Sequence, residues 1–527
     1  MGTRRRGLLV GIAGAAALAG VLGARRARRD GPIGGRADAG RADGSGGSTD
    51  AGPLVATGRG HRNLVLVGAA GRAGGTWAAD RARRVFADAE RREELDRQRQ
   101  VRTAEQVAET LGNLKGALMK LGQMASYLDQ GMPEPVREAL AQLQQDAPPM
   151  APELAASVVE AELGAPPDEL FAEWDPSPIA AASIGQVHRA LTRDGRAVAV
   201  KVQYPGVDDA IRGDLDNAGL LFGAMRALFP GLDPKPLVAE LRERITEELD
   251  YRLEADNQQL FADHYRDHPF IHVPAVHHDL SSSRVLTTEL AVGARFDQIV
   301  SRPAAERDRY GEIIYRFVFG SLYRLGAFNG DPHPGNYLFG DDGRVTFLDF
   351  GLVKRFTLDE LKPFELMIDA AVIHPDIARF RSIVERIGLL KAGSPLSDEQ
   401  VGAYFGHFYT FVGDDEELTF TQAYASEMVA RFFDASGEHG EVMRAANVPR
   451  FMVLIQRINL GLFALLGELR ATGRWRAVSE ELWPWMQAEP VTELGRQEAE
   501  WRARTGRRAT PEGYVAGGDL PTSLLRP

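Results

Sequence analysis

Val345-Thr-Phe-Leu-Asp349-Phe350-Gly351 is the stretch on which the fold turns. An apolar strand ends by delivering an aspartate into a glycine turn, where its carboxylate can face a divalent cation. Alone, such a strand end is common. Eighteen residues upstream, however, stands Asn329-Gly-Asp331-Pro-His333-Pro-Gly-Asn336. An aspartate followed five positions later by an asparagine supplies a group that receives or orients a nucleophile's proton and an amide oxygen that can ligate metal. Two prolines fix the backbone of this loop, which suits a preorganised site. A proline-rich surface turn with an Asx cap would contain the same residues. The presence of Asp349 at this separation favours catalysis.

Further upstream, Arg196-Ala-Val-Ala-Val-Lys201-Val alternates as a strand. Val198, Val200 and Val202 share one face, so one face packs while Lys201 projects into a cleft. Only seven of the 62 basic residues are lysine, and a compact ammonium is what arginine cannot supply. Before this strand lies Ala180-Ala-Ala182-Ser183-Ile-Gly185-Gln-Val187-His188. A glycine-rich phosphate loop would stand here in a typical nucleotide-binding lobe. Alanines restrict the conformations that glycines allow, so nucleotide should be held differently.

Composition bounds the alternatives. The 527 residues suggest two to four domains, and 44% hydrophobic with 26% charged residues is ordinary globular usage. There is no cysteine, which excludes disulfides, thiolate metal sites and cysteine nucleophiles. A net charge of −11 with a pI near 5.6 argues against a nucleic-acid binder.

Taken in order, these segments resemble the UbiB (AarF-type) family of atypical kinase-like proteins. Lys120-Leu-Gly122-Gln123 matches that family's Lys-x-Gly-Gln motif, and Glu248-Leu-Asp250, with Glu254 following, matches its Glu-x-Asp motif. The match runs from about Asn113 to Lys354 and less specifically into the helical tail. It implies an α+β, two-lobed protein-kinase-like fold, with a small mixed α/β lobe, a large mainly helical lobe and an N-terminal helical extension. It also implies ATP and Mg²⁺ as cofactors. Asp331 would stand in catalytic position, Asn336 and Asp349 would ligate metal, and Lys201 would hold phosphates with Glu254 as its partner, Glu248 being the alternative. Ala182, Ser183, Gly185 and Val187 would lie over the nucleotide, and backbone groups from Glu289 to Ala291 would meet adenine. In this family the extension folds across the cleft, which implies Lys120, Gly122 and Gln123 near Glu248 and Asp250. The leucine stripe Leu111, Leu114, Leu118, Leu121 fits this, because at about 100° per residue Lys120 and Gln123 fall opposite it.

The chain divides by composition. Residues 1–30 hold an uncharged run, Gly7 to Ala24, flanked by arginines. As a helix it would span about 27 Å, just short of a hydrocarbon core of roughly 30 Å. Gly7, Gly11, Ala15, Ala19 and Gly23 form a small-residue ridge through which a homodimer could form. Membrane insertion is the expectation, with peripheral association or a signal sequence as alternatives. Residues 31–63 read as a disordered linker, 64–150 as the helical extension, 151–293 as the small lobe, 294–505 as the large lobe and 506–527 as a disordered tail. Within these, Pro152–Phe171 and Pro236–Phe261 read as helices, Ser283–Leu290 as a strand, and the apolar run from Val453 as a buried helix rather than a membrane span, since Arg457 and Asn459 interrupt it.

Two functions follow. The first is a UbiB-type kinase or ATPase supporting isoprenoid quinone or other prenyl-lipid metabolism. It would be membrane-associated, with its kinase-like domain on the cytoplasmic side. The second is a non-catalytic, nucleotide-gated adaptor that presents lipid intermediates to partner enzymes of quinone biosynthesis. Conventional protein phosphorylation ranks third.

Overall fold

The computed structural model describes residues 150–182, 184–207, 247, 249–433, 439–447, 449, 452–521 and 523. The segments 1–30 and 31–63, and all of 64–150 except Met150, lie outside the described residues. So do Lys120, Gly122, Gln123, Ser183 and Glu248.

The small lobe begins with helix α1, Pro152–Leu163. It is shorter than the helix expected over Pro152–Phe171. Gly164, at φ 82°, takes the left-handed cap, and helix resumes only as a single turn over Pro167–Leu170, with Pro167 at its first position. Phe171 instead opens β1, Phe171–Ala182. With β2 (Gly185–Thr192), β3 (Ala197–Gln203) and β5 (Val285–Glu289) it forms an antiparallel sheet in the order β1-β2-β3-β5. In β3, Val198, Val200 and Val202 are wholly buried beneath α1, in one core with Val158, Val159 and Phe171. Each such burial is worth about 1.5–3 kcal/mol. Helix α2, Tyr251–His264, starts where Asp250 accepts a hydrogen bond from the Arg252 amide.

The two-residue strand β4, Ile271–His272, leaves the small lobe and pairs in parallel with β8, Val345–Phe347, of the large lobe. The lobes join again after β5. There Ala294 bridges Phe339, and Gly293 has no room for a Cβ, which would fall 2.8 Å from the Phe339 carbonyl oxygen.

In the large lobe, the long helix α3, Ala304–Gly320, precedes two short strand pairs. β6 (Ala327–Asn329) runs antiparallel to β9 (Val353–Arg355), and β7 (Tyr337–Phe339) to β8 (Val345–Phe347). The registers Asn329↔Val353 and Tyr337↔Phe347 hold the two loops that carry Asp331 and Asp349 side by side. Helices follow: α4 (Leu358–Ile368), α5 (Ile377–Arg386), α6 (Asp398–Phe405), α7 (Gln422–Phe433), α8 (Val453–Leu469), α9 (Trp475–Leu482) and α10 (Glu493–Thr505). Ile458, Leu462 and Leu466 of α8 are wholly buried, as its reading as an internal helix requires. Among the described residues no helix is long and apolar enough to cross a membrane.

Arg316 of α3 has no exposed side-chain surface and is surrounded by Glu312, Glu481 and Glu498, which ties α3 to α9 and α10. The chain after Gly506, expected to be disordered, is instead anchored on α4. Lys362 donates to the carbonyls of Val515 and Gly517 at 2.6 and 3.0 Å, and Glu365 accepts from the Gly517 amide at 2.6 Å and from the Tyr514 hydroxyl. Asp519 pairs with Arg386 at 2.7 Å, and Leu520 is buried.

Candidate active site

The pleat of β3 turns Lys201 to the face opposite its buried valines, and α2 brings Glu254 against it. Lys201 Nζ donates to both Glu254 oxygens, at 2.7 and 2.8 Å, and lies 3.9 Å from Asp349 Oδ2. Its other neighbour is the Tyr251 ring, whose centroid is 4.9 Å away. Burial works against the ammonium charge, but Glu254 and then Asp349 outweigh it and hold the lysine pKa above its ordinary value.

Asp349 sits at the end of β8 in a turn closed by the Gly351 amide, which donates to Asp349 Oδ1 at 2.9 Å. Phe350 is driven the other way, into a pocket wholly removed from solvent beside Phe261 of α2 (5.0 Å between rings) and Phe317 of α3. Seating of this ring couples α2, and hence Glu254, to the turn that aims Asp349. Asn257 of α2 reinforces the link by donating to the Phe350 carbonyl at 3.4 Å.

The Asp331 loop is held from both ends. The Asn336 amide nitrogen donates to the Asp331 carbonyl at 3.0 Å and to Asp331 Oδ2 at 3.1 Å, which leaves the Asn336 side-chain oxygen as its ligand atom. Asn329 donates to the Asp349 carbonyl at 2.7 Å and accepts from the Asp331 amide at 3.3 Å, so one side chain spaces both loops. Sequence reasoning gave Asn329 no role; an asparagine two residues before the aspartate is an Asx-turn signal that could have found it.

Over the cleft, Ala182 of β1 pairs with Gly185 of β2. Gly185 is required by close approach: a Cβ there would lie 2.3 Å from the Val202 carbonyl oxygen. Val187 pairs directly with Lys201 and shares its half-buried face. Gln186 and His188 alternate to the other face and do not enter the cleft. Gln186 clasps Met150, accepting from its amide at 2.8 Å and donating to its carbonyl at 3.4 Å. Burial holds His188 neutral, so Nδ1 donates to the Asp175 carbonyl and Nε2 accepts from Gln186, each at 2.9 Å.

At the lobe junction the Glu289 amide donates to Ala275 and the Leu290 amide to Ala197. The Glu289 side chain faces His272 at 3.4 Å, whose hydrogen bond lowers the carboxyl pKa. Asp250 is engaged by Arg252 in a two-pronged contact, both prongs 2.9 Å, at the start of α2.

The donor set that Asp349 and Asn336 present, one carboxylate and one amide oxygen, suits Mg²⁺, which binds through few protein oxygens and completes its shell with phosphate and water. Among the described residues there is no cluster of three or more His, Cys, Asp or Glu side chains that could hold a metal without such help.

A two-lobed fold with a lysine–glutamate pair, an Asp-x4-Asn loop and a strand-borne Asp-Phe-Gly turn defines an atypical kinase-like protein. Residues 142–383 match the ABC1 atypical kinase-like domain, and the chain belongs to that family. It is 32% identical over 306 residues to the Arabidopsis thaliana chloroplastic protein ACTIVITY OF BC1 COMPLEX KINASE 1, covering 56% of this chain and 44% of that protein. It is 35% identical over 255 residues to the mitochondrial atypical kinase COQ8B of Rattus norvegicus, covering 48% of each. The chain thus spans under half the length of these curated relatives. Among solved structures it is similar to Mycobacterium tuberculosis Rv3197 in complex with erythromycin, with a TM-score of 0.55 and 32% identity over 75% of this chain and all of that one.

Proposed function

We propose that the chain is an atypical kinase or ATPase that binds MgATP between its lobes and transfers or releases the terminal phosphate. The observation that carries this reading is the assembled triad of Lys201, Glu254 and Asp349, in which an ammonium lies between two carboxylates at 2.7 and 3.9 Å. A lysine so paired is oriented and permanently charged, as binding of α- and β-phosphates requires. Mg²⁺ bound at Asp349 and Asn336 would neutralise charge on the phosphates. Asp331 would orient the attacking hydroxyl or water. Adenine would meet backbone groups between Glu289 and Ala291; with the Glu289 and Leu290 amides already engaged, the Ala291 amide is the donor of choice.

The resemblance to UbiB proteins supports a role in isoprenoid quinone or prenyl-lipid metabolism. The arginine-flanked run of residues 7–24 supports a membrane location, with the ATP site on the cytoplasmic face. A lipid intermediate, partner enzymes and self-association through the Gly7–Gly23 ridge belong to the same proposal.

Phosphate release by purified full-length protein, with and without anionic liposomes and beside Asp349→Asn, tests this reading. Membrane-stimulated turnover that the substitution abolishes supports the enzyme. Nucleotide binding without turnover supports a nucleotide-gated adaptor instead. That second reading is favoured by the run Ala180–Ala182, whose backbone offers less adaptable contact to phosphates than a glycine-rich loop.

A further inference from the structure

The end of α2, the turn after α3 and the chain beyond α10 line an open cavity of about 290 Å³. Its walls carry His264, Arg324, Arg507, Arg508 and Thr510, with Glu512 as the carboxylate among them. Arg324 is 7% exposed. Its terminal nitrogens are engaged by Glu498 and by the Glu481 carbonyl, but its Nε is buried with no hydrogen-bond partner among the described residues. Arg507 is in the same position: one terminal nitrogen donates to the Asp263 carbonyl while Nε is buried without a partner. Glu512 does not answer this demand, because it is 87% exposed and faces Arg508 at 3.4 Å. Arg324 and Arg507 both act on this wall, with Glu498 as the opposing charge. Burial first, then Arg507 and Arg324, push His264 down to about 4, and burial with Arg324 pushes the neighbouring Arg502 down to about 10.

We propose that this cavity binds a phosphate-type oxyanion, free or as a monoester, held by Arg324, Arg507 and Arg508 with the Thr510 hydroxyl. Guanidinium groups match tetrahedral oxyanions in charge and in paired N–H geometry. An anion in the cavity relieves the mutual repulsion of the arginines. The volume exceeds that of inorganic phosphate alone, so a small esterified group fits beside it.

The inference is independent of the nucleotide site, and its test keeps the two apart. Full-length protein is titrated at constant ionic strength with inorganic phosphate and with glycerol 3-phosphate, by calorimetry and thermal unfolding. Wild type and Lys201→Ala should bind alike, whereas Arg508→Gln and Arg507→Gln should bind at least fivefold more weakly. Arg508 is 67% exposed, so its variant tests the site even if Arg507→Gln fails to fold. Tighter binding of glycerol 3-phosphate marks an esterified ligand such as a lipid headgroup, and tighter binding of inorganic phosphate marks the free ion. The proposal is overturned by an absence of saturable binding, by an equal response to chloride, by unchanged affinity in Arg508→Gln, or by loss of binding in Lys201→Ala.

Discussion

Glu254→Gln keeps the size of a side chain and deletes its charge. In the wild-type cleft Lys201 Nζ lies 2.7 and 2.8 Å from the Glu254 oxygens and 3.9 Å from Asp349 Oδ2. At an effective dielectric constant of about 20, those separations correspond to about 6 and about 4 kcal/mol of attraction. The substitution removes the larger share and leaves the ammonium, 17% exposed, to the Asp349 carboxylate alone. Breaking one side of a buried pair costs about 3–5 kcal/mol; with Asp349 still in reach the lower figure applies. For a folding unit on the order of 370 residues, about 3 kcal/mol lowers the unfolding midpoint by about 4 °C. Lys201 should also be drawn toward Asp349 and compete there with Mg²⁺, so MgATP binding should weaken by about tenfold or more, equivalent to about 1.4 kcal/mol. Thermal unfolding with and without MgATP reads both effects in one assay. A variant with the wild-type midpoint and the wild-type MgATP shift would refute the argument that this pair organises the cleft.

Asp349→Asn should abolish the Mg²⁺-dependent part of ATP stabilisation, and Lys201→Ala should weaken binding with or without metal; thermal shifts in Mg²⁺ and in chelator separate the two. Asp331→Asn should cut turnover by about 10²-fold or more while leaving nucleotide affinity nearly unchanged, the outcome expected if the residue acts on the nucleophile. Gly185→Ala forces a Cβ onto the Val202 carbonyl and should cost about 1–3 kcal/mol in urea unfolding. Burial pushes His268 down to about 3, so its neutral ring contributes stability that is complete above the unfolded value near 6.5 and is lost as pH falls toward 3. Urea midpoints should therefore drop between pH 6.5 and 5, by up to about 1.4 kcal/mol per unit. His268→Asn should flatten that slope.

The parts of this site that were legible in sequence are those in which one side chain's chemistry is tied to a strand or turn of fixed period. The valines of β3 announce a two-residue repeat and thereby point Lys201 at the cleft. Asp331, Asn336 and Asp349 announce themselves by spacing. What was illegible depends on contacts across long stretches of chain. Gln186 and His188 stand in the motif that begins at Ala180, yet the pleat sends them to Met150 and Asp175, and only three-dimensional register reveals it. The segment after Gly506 is poor in apolar residues and reads as disordered. Its order comes from Lys362 and Glu365, some 150 positions away and buried on α4. Helix α1 was overextended because its apolar spacing continues past Gly164; the glycine and the two prolines were the decisive local signals.

The passage from Asp349 to α4 constrains how the site can be controlled. Gly351 closes the turn, the Gly330 amide donates to the Leu352 carbonyl, and β9 is already paired with β6 by Val353. Phe356 donates to the Gly326 carbonyl, and Thr357 starts α4 through a reciprocal cap with Glu360. Eight residues after Asp349, the chain is committed to the large lobe. In protein kinases this interval holds a long segment whose ordering by phosphorylation brings the lysine–glutamate pair and the Asp-Phe-Gly turn into place together. Here no chain remains between β9 and α4 for such a switch, and the pair and the turn are already joined through Phe350, Phe261 and Asn257. Substitutions along Val353–Thr357 should change stability without creating a phosphorylation-dependent activity.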